Sequence, residues 1–400
     1  MAVVLIAGGG IGGLATALAV AGSGHHAVVL ERADRFAEIG AGIQLAPNGL
    51  HALDALGVGD AVRATAVHMD ELRFMDGVTG EHVTSLELTK GYRDRFASPY
   101  VVVHRAELHS VLLEACRSSG SISLVSGSAV DGYRTVDHRV SARLTDGRMM
   151  TGDALIGADG IRSAVRRRLL GDGEPRVSGI TVYRAVIPMN EVPEDLRFER
   201  SVVWWAGPGC HLVHYPIAGG SHLNLAASSD DGTTEPVTSV PVGRDRVRHE
   251  FGALGRTALR LLELGRDWKT WTLVDRDPVG TWTDGRVALL GDAAHPMLHY
   301  AAQGACQAME DAVTLGALLD GAGEASLPGL LAEYARVRRD RTARIQLAAR
   351  DSIRLWHPAG AAARDRNTML SALPQRALQD HVAWMHGFRV SGADRAGATL

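Results

Sequence analysis

Hydrophobic positions along this chain fall into two patterns. In the first, continuous apolar runs stop abruptly at small or acidic residues: Val3 to Ala7, Ala27 to Leu30, Ala154 to Ile156 and Val287 to Leu290. Unbroken runs of that length read as strands buried on both faces, as in a parallel sheet covered by helices. Leu14 to Val20 and Gly304 to Leu319 carry apolar and small residues at helical spacing and follow two of these runs. The second pattern consists of short alternating segments rich in tryptophan and threonine: Thr181 to Val186, Ser201 to Trp205, His211 to Tyr215 and His222 to Ala226. These predict a mixed sheet that forms a separate lid. Leu330 to Arg350 reads as a long helix, the polar stretch Asp230 to Val242 as a surface excursion, and the tail from Gly392 as loose.

The ends of the apolar runs carry the candidate chemistry. After the first run, Gly8, Gly10 and Gly13 form a GxGxxG turn, with Gly12 inside it, opening a helix. The second run ends at Glu31, 18 residues beyond Gly13 and next to Arg32. Strand, glycine turn, helix, strand and acid in that order make a strong dinucleotide signal, with the pyrophosphate at the helix N-terminus and the acid on a ribose. A carboxylate there favours a free 2′-hydroxyl, so the tight ligand is FAD or NAD. Two features favour FAD. No second GxGxxG follows, and Asp292, at the end of the fourth run, is suited to a ribityl hydroxyl. The amides of Gly304 and Ala305, at the start of the next helix, suit the negative charge of a reduced flavin. The glycine-punctuated stretch Gly40 to Gln44, including Gly42, reads as a flexible loop able to slide past a flavin ring. Arg105, at a strand-to-helix junction, can reach a pyrophosphate or a flavin edge. The third run ends in the turn Asp159-Gly160, with Ser163 capping a helix.

The expected fold class is therefore α/β: a Rossmann-type FAD-binding domain with an interleaved mixed β-sheet substrate domain and C-terminal helices. The FAD-binding domain takes residues 1–67, 101–175 and 285–330, the substrate domain 68–100 and 176–284, and the C-terminal helices and tail 331–400. Composition narrows the function classes. A net charge of -3 over 400 residues gives no reason to expect nucleic acid as a partner. Arg162 with Arg166, Arg167 and Arg168 reads as a solvated helix face. Three scattered cysteines offer no metal-ligand spacing and suggest a reducing compartment. No apolar stretch reaches the ~18 residues of a membrane span, and the N-terminal run reads as a strand, not a signal peptide. A cytoplasmic enzyme without a metal is expected.

With Gly8, Gly10, Gly13 and Glu31, then Asp159-Gly160, then Gly291-Asp292 in this order, the chain resembles the single-component FAD-dependent aromatic hydroxylases from residue 1 to about 350. Within that family it is most similar to the 3-hydroxybenzoate 6-hydroxylases, with the salicylate hydroxylases as neighbours. The resemblance implies that Glu31 and Arg105 contact the ribose and the flavin side of FAD. It further assigns Asp159, with Gly160 and Arg162, to a motif shared between FAD and transiently bound NAD(P)H. Asp292 would hold the ribityl chain, and Pro296 would face the flavin. From His211-x-x-x-Tyr215 and the segment Tyr300 to Cys306, it implies that His211 and Gln303 polarise a substrate phenol, with Tyr215 near the ring. Asp76 and Tyr100 join the substrate pocket by looser similarity. Many members have proline in place of His299 and leucine in place of Ala301, which bears on the exact substrate.

A phenol with a pKa near about 10 needs a partner for its proton, and imidazole suits that role. Residues 211, 213 and 215 share one strand face, so His214 faces away and reads as structural, as does His295 in its loop. The resemblance implies hydroxylation of a small aromatic acid by NADH and O2 through a flavin C4a-hydroperoxide, most closely 3-hydroxybenzoate to gentisate, in a homodimer. Decarboxylating hydroxylation of salicylate to catechol, or a biosynthetic tailoring step, remains open, as does a flavin-binding regulator that has lost turnover.

Overall fold

A computed structural model describes residues 1–37 and 42–390. The four apolar runs lie side by side in one six-stranded sheet. Its order is Thr283–Asp284, Val287–Leu289, Ala154–Gly157, Val3–Ala7, His26–Leu30 and Ile122–Val125, parallel except at the short first edge. Ile11–Gly22 and Gly304–Leu319 are helices, and they pack closely because small residues face each other. A Cβ at Gly316 would stand 2.8 Å from the Ala19 Cβ, and one at Gly12 3.3 Å from the Ala308 Cβ. This sheet and its helices share one apolar core, running from Val4 and Leu5 to Leu315 and Tyr334.

The second pattern forms an eight-stranded sheet. Its order is Thr238–Pro241, Lys269–Asp275, Arg176–Pro188, His222–Thr233, Cys210–Ile217, Ser201–Gly207, Glu71–Asp76 and His82–Glu87. Pairing is antiparallel except between Ser201–Gly207 and Glu71–Asp76. Gly42–Leu45 belongs to a small antiparallel sheet with Val101–His104 and Val67–His68, between the two large ones. Tyr215 donates its hydroxyl to the Gly42 carbonyl at 2.8 Å and joins that small sheet to the large one.

One expectation changes here. The stretch from Asp230 to Val242 lies on the surface, but it holds the end of one strand and the edge strand Thr238–Pro241. Its polar residues fit an exposed edge, where side chains need no apolar alternation. Past the long helix Leu327–Asp351, the chain folds back onto the substrate sheet through Ile353–Trp356, Gly360–Ser371 and Gln375–His386. Trp356 stacks against Phe74 and Trp204, and Tyr92 pairs with His386 at 2.8 Å. The expected loose tail from Gly392, and Gly40 and Ala41 of the sliding loop, lie outside the described residues.

Candidate active site

The glycine turn divides its labour. Gly8 has φ +104°, and a Cβ on Gly13 would stand 1.9 Å from the Gly8 carbonyl oxygen, so both glycines make the turn itself possible. A Cβ on Gly10 would meet nothing within 4 Å. Gly10, Ile11 and Gly12 line a cavity of about 350 Å³. Glu31 accepts the Gly9 amide at 2.7 Å and the Ala33 amide at 2.9 Å, fixing the turn to the end of the second strand. Arg32 beside it is exposed. Open space above Gly10 at a helix N-terminus fits a pyrophosphate, which needs close backbone approach and unpaired amides.

The same cavity runs past Arg105, Gly160, Gly42 and Gln44 to Asp292, Gly304 and Ala305. Asp292 is exposed and takes no hydrogen bond or ion pair among the described residues, which leaves both carboxylate oxygens for a ligand hydroxyl. Beneath this loop lies a buried polar network. Gly291, at φ +60°, donates its amide to Asp311 at 3.0 Å, and His295 pairs with the same oxygen at 2.5 Å. Arg338 bridges Asp311 and Glu310 at 2.7 Å each, and Arg341 reaches Glu310 at 2.8 Å. Burial pushes the Asp311 carboxyl up, but His295 and Arg338 overcome it and bring it down to about 2. His295 is structural, as expected: it fixes the loop that presents Asp292.

The far wall of the cavity is one face of the large sheet. Register places His211 beside Ser228, Tyr215 beside Asn224, and Ala226 between Val213 on one side and Arg184 on the other. His211, Val213, Tyr215, Asn224, Ala226 and Arg184 all line the cavity. His214 points to the other side, packed against Phe198 and Trp205. Tyr300 and Trp356 close over His211, with ring centroids 5.3 and 5.6 Å away. His211 is 1% exposed, and its Nδ1 lies 2.9 Å from Nε2 of His357. Burial, then His357 and His299, hold its pKa well below the ordinary histidine value, so the ring is neutral and can accept a proton.

Arg184 was not anticipated from the sequence. Its Nε is buried without a hydrogen-bond partner, and it makes no ion pair among the described residues; its guanidinium lies over the Trp271 ring, at 5.5 Å. Burial depresses its pKa. A half-buried guanidinium with an enclosed, unpartnered Nε and no counter-charge is costly unless a ligand anion completes it. His357 was likewise missed, because its proximity to His211 comes from a C-terminal turn without local pattern, whereas the segment of His299 and Tyr300 is marked in the sequence as bearing on the substrate.

Several anticipated site residues are engaged elsewhere. The Gln303 Oε1 accepts from Asn48 at 2.8 Å and from Gln307 at 2.9 Å, so its amide belongs to the buried network although the residue borders the cavity. Asp159 bonds to Ser163 and accepts the amides of Ala164 at 2.8 Å and Val165 at 3.3 Å; it anchors the helix Ala164–Leu170, while Gly160 faces the cavity. Ser163 does cap that helix, accepting from the Arg166 amide. Pro296 is buried outside the lining, where Met297 and His299 stand instead. Asp76 closes its own turn through the Val78 and Thr79 amides and takes Asn367, and Tyr100 donates to Gln44 at 2.7 Å; neither lines the cavity. Arg166 is not solvated. It is 1% exposed and donates to the carbonyls of Ala293 and Ala294 beside Asp292.

A family model described as an FAD binding domain matches residues 1–349. The chain is 46% identical over 385 residues to 3-hydroxybenzoate 6-hydroxylase 1 of Aquipseudomonas alcaligenes, covering 96% of this chain and 97% of that one. It is 40% identical over 387 residues to the 3-hydroxybenzoate 6-hydroxylase of Polaromonas naphthalenivorans, covering 97% and 96%. A solved salicylate hydroxylase substrate complex superposes with a TM-score of 0.83 at 26% identity, over 99% of this chain and 97% of that one. Glycine turn, cavity and relatives agree: the chain belongs to the FAD-binding-domain family and is an FAD-dependent aromatic hydroxylase.

Proposed function

We propose that the chain hydroxylates 3-hydroxybenzoate to gentisate (2,5-dihydroxybenzoate), using NADH and O2. The observation that carries this reading is the pairing of a neutral buried base, His211, with an uncompensated cation, Arg184, on the wall of the cavity that begins at the glycine turn. The same cavity includes the positions that would hold FAD, so the substrate is left the space against the sheet face beside His211 and Arg184, which suits a small aromatic acid. The names of the relatives add the substitution pattern of that acid.

Gly10, Ile11 and Gly12 would hold the pyrophosphate of FAD, Glu31 its ribose, Asp292 its ribityl chain, and the Gly304 and Ala305 amides its pyrimidine edge. Bound FAD would supply acceptance of a hydride from NADH and activation of oxygen. The rest falls to the protein. Arg184 seats the carboxylate, and His211 accepts the phenolic proton at Nε2, the nitrogen not engaged with His357. The phenolate so formed is electron-rich enough for attack on its ring. Trp204, Trp356, Tyr300 and Val213 surround that spot and exclude water. Gln303 acts through position: its amide fixes the start of the helix whose first amides face the flavin. Tyr215 steadies Gly42 in the same indirect way. We assign residues 176–284 with 68–100 to a substrate domain and the remainder up to residue 330 to the FAD-binding domain. The enzyme is proposed to act as a cytoplasmic homodimer, which sedimentation of the FAD-loaded protein would test.

NADH oxidation by the FAD-loaded protein, measured against a panel of phenolic acids with product identification, tests the reading. Stimulation by 3-hydroxybenzoate with gentisate formed is expected. Catechol from salicylate would move the activity to the decarboxylating reaction, for which the solved salicylate hydroxylase complex is the structural precedent.

A further inference from the structure

Burying a primary amide costs free energy unless its polar atoms find partners, and Asn224 is 1% exposed. One end of its side chain is satisfied. The Gly42 backbone N–H reaches that end at 3.2 Å, and a backbone N–H can only donate, so the atom it meets is Oδ1. This contact fixes which way the amide points and leaves Nδ2, with two N–H donors, at the other end. Nδ2 makes no hydrogen bond among the described residues, although Asn224 lines the cavity. It is not one of the side-chain atoms sealed inside the fold without a partner, so the space it faces is the cavity.

The amide is held still, and it is held near Arg184. Gly42 is gripped twice, by Asn224 at its N–H and by Tyr215 at its carbonyl, which accepts the phenolic hydroxyl at 2.8 Å. A Cβ on Gly42 would stand 2.4 Å from Cε2 of Tyr215, so the strand lies directly against these side chains. In the large sheet Asn224 pairs with Tyr215 on one side and with Val186 on the other, and Val186 shares a strand face with Arg184. Arg184 and Asn224 are therefore diagonal neighbours on the cavity wall, ~7–8 Å apart at Cα and within reach of a long side chain. The guanidinium is close enough to Tyr215 to oppose the burial that pushes that hydroxyl up to about 12.

We propose that Asn224 donates from Nδ2 to the substrate carboxylate beside Arg184, and so helps to select an acid. This rests on the reading of Arg184 given above, and it deepens that reading. A carboxylate only accepts, through two oxygens with room for several donors, so a guanidinium and a primary amide can serve it together. Arg184 supplies the charge. Asn224 supplies a neutral donor whose direction is set by the backbone at Gly42, which spares the cost of ordering it when the ligand arrives. A ring that carries no acceptor at this position leaves both donors enclosed and unpaired, which costs more than a lost contact.

The test compares 3-hydroxybenzoate with 3-methylphenol, which has a methyl group in place of the carboxylate. Both are titrated into FAD-loaded wild type and Asn224→Ala without NADH, and affinity is read from the absorbance of the bound flavin. Loss of the Gly42 contact weakens both ligands alike, so the informative quantity is the ratio of the two affinities. The preference for the acid is expected to fall roughly tenfold or more in the variant, as for a lost hydrogen bond to a charged group. A smaller change in that ratio overturns the proposal, even where FAD or both ligands bind more weakly, because the amide then acts through Gly42 or on the flavin. Wild type supplies a second measurement that no folding defect can spoil, a crystal structure of the FAD-loaded protein with 3-hydroxybenzoate. A carboxylate oxygen at about 3.2 Å or less from Nδ2 is expected, and a longer separation overturns the proposal. Wild type without any preference for the acid overturns the reading of Arg184 and this one with it. Wild type that prefers the acid, beside a variant that prefers it equally, overturns the role of Asn224 alone.

Discussion

At the scale of single residues, His211 and Arg184 divide the substrate between them and should fail differently. His211→Ala is expected to lower kcat by a factor of roughly 10²–10⁴, the usual worth of a positioned base, with KM little changed. Because burial holds the His211 pKa well below the ordinary histidine value, the neutral ring persists as pH falls through 6.5. The kcat profile should therefore show no acidic limb near that value; a limb at 6.5 that disappears in His211→Ala would contradict the assignment. Arg184→Met should instead raise KM for 3-hydroxybenzoate roughly a hundredfold, about 2.7 kcal/mol, while the corresponding benzamide is affected little. The same variant should melt no lower than wild type without substrate, since it removes a half-buried cation that has no ion-pair partner among the described residues. Neither role was equally legible beforehand. His211 stood out through the resemblance carried by His211-x-x-x-Tyr215, whereas Arg184 looked like one arginine among many, and only its register with Ala226, itself paired with Val213, brings it to the same wall.

At the scale of elements, the glycine turn separates folding from binding. Gly13→Ala places a methyl 1.9 Å from the Gly8 carbonyl, and the backbone has to shift; loss of stability and of FAD together is expected. Gly10→Ala meets only open space, so its melting temperature without FAD should match wild type while FAD affinity, read by fluorescence titration, falls. These elements were easy to read because buried parallel strands declare themselves as apolar runs, and each ends where the chain turns towards the ligand. Polar roles were harder. Asp159 and Gln303 have the right residue types at the right ends of elements, yet the helix Ala164–Leu170 takes the first and the Asn48, Gln307 and Glu310 network takes the second. A carboxylate or amide that can satisfy an orphan backbone or buried partner does so, and sequence order does not say which partner is nearer. Arg166 shows the converse: a basic run on paper, but one of its members turns inward to hold the loop at Asp292.

At the scale of the whole molecule, buried histidines set the response to acid. Burial holds His214, His299 and His386 near about 3 and His357 near about 4, and it lowers His211 further from its usual value. Unfolding exposes all five, and they then bind protons below about 6.5, so the unfolded chain takes up more protons than the native one. Stability should be fully present above about pH 6.5 and fall progressively as pH drops towards 4. Lower still, protonation of Asp311, held at about 2 in the fold, removes a further contribution. Melting temperatures between pH 7 and pH 5 check this. A flat curve would mean that these rings are not neutral and enclosed.

The order of strands in the flavin sheet has a consequence for how the protein is made. Val3–Ala7 is flanked by Ala154–Gly157, which in turn needs Val287–Leu289, so the first strand synthesised waits for a neighbour some 150 residues behind it and for a third still later. At the usual pace of a ribosome that wait lasts on the order of tens of seconds, with apolar strand edges in the open. His357 emerges later again. A nascent chain can thus begin to gather its cofactor fold before release, but the wall around His211 is complete only after translation has passed the turn that carries His357.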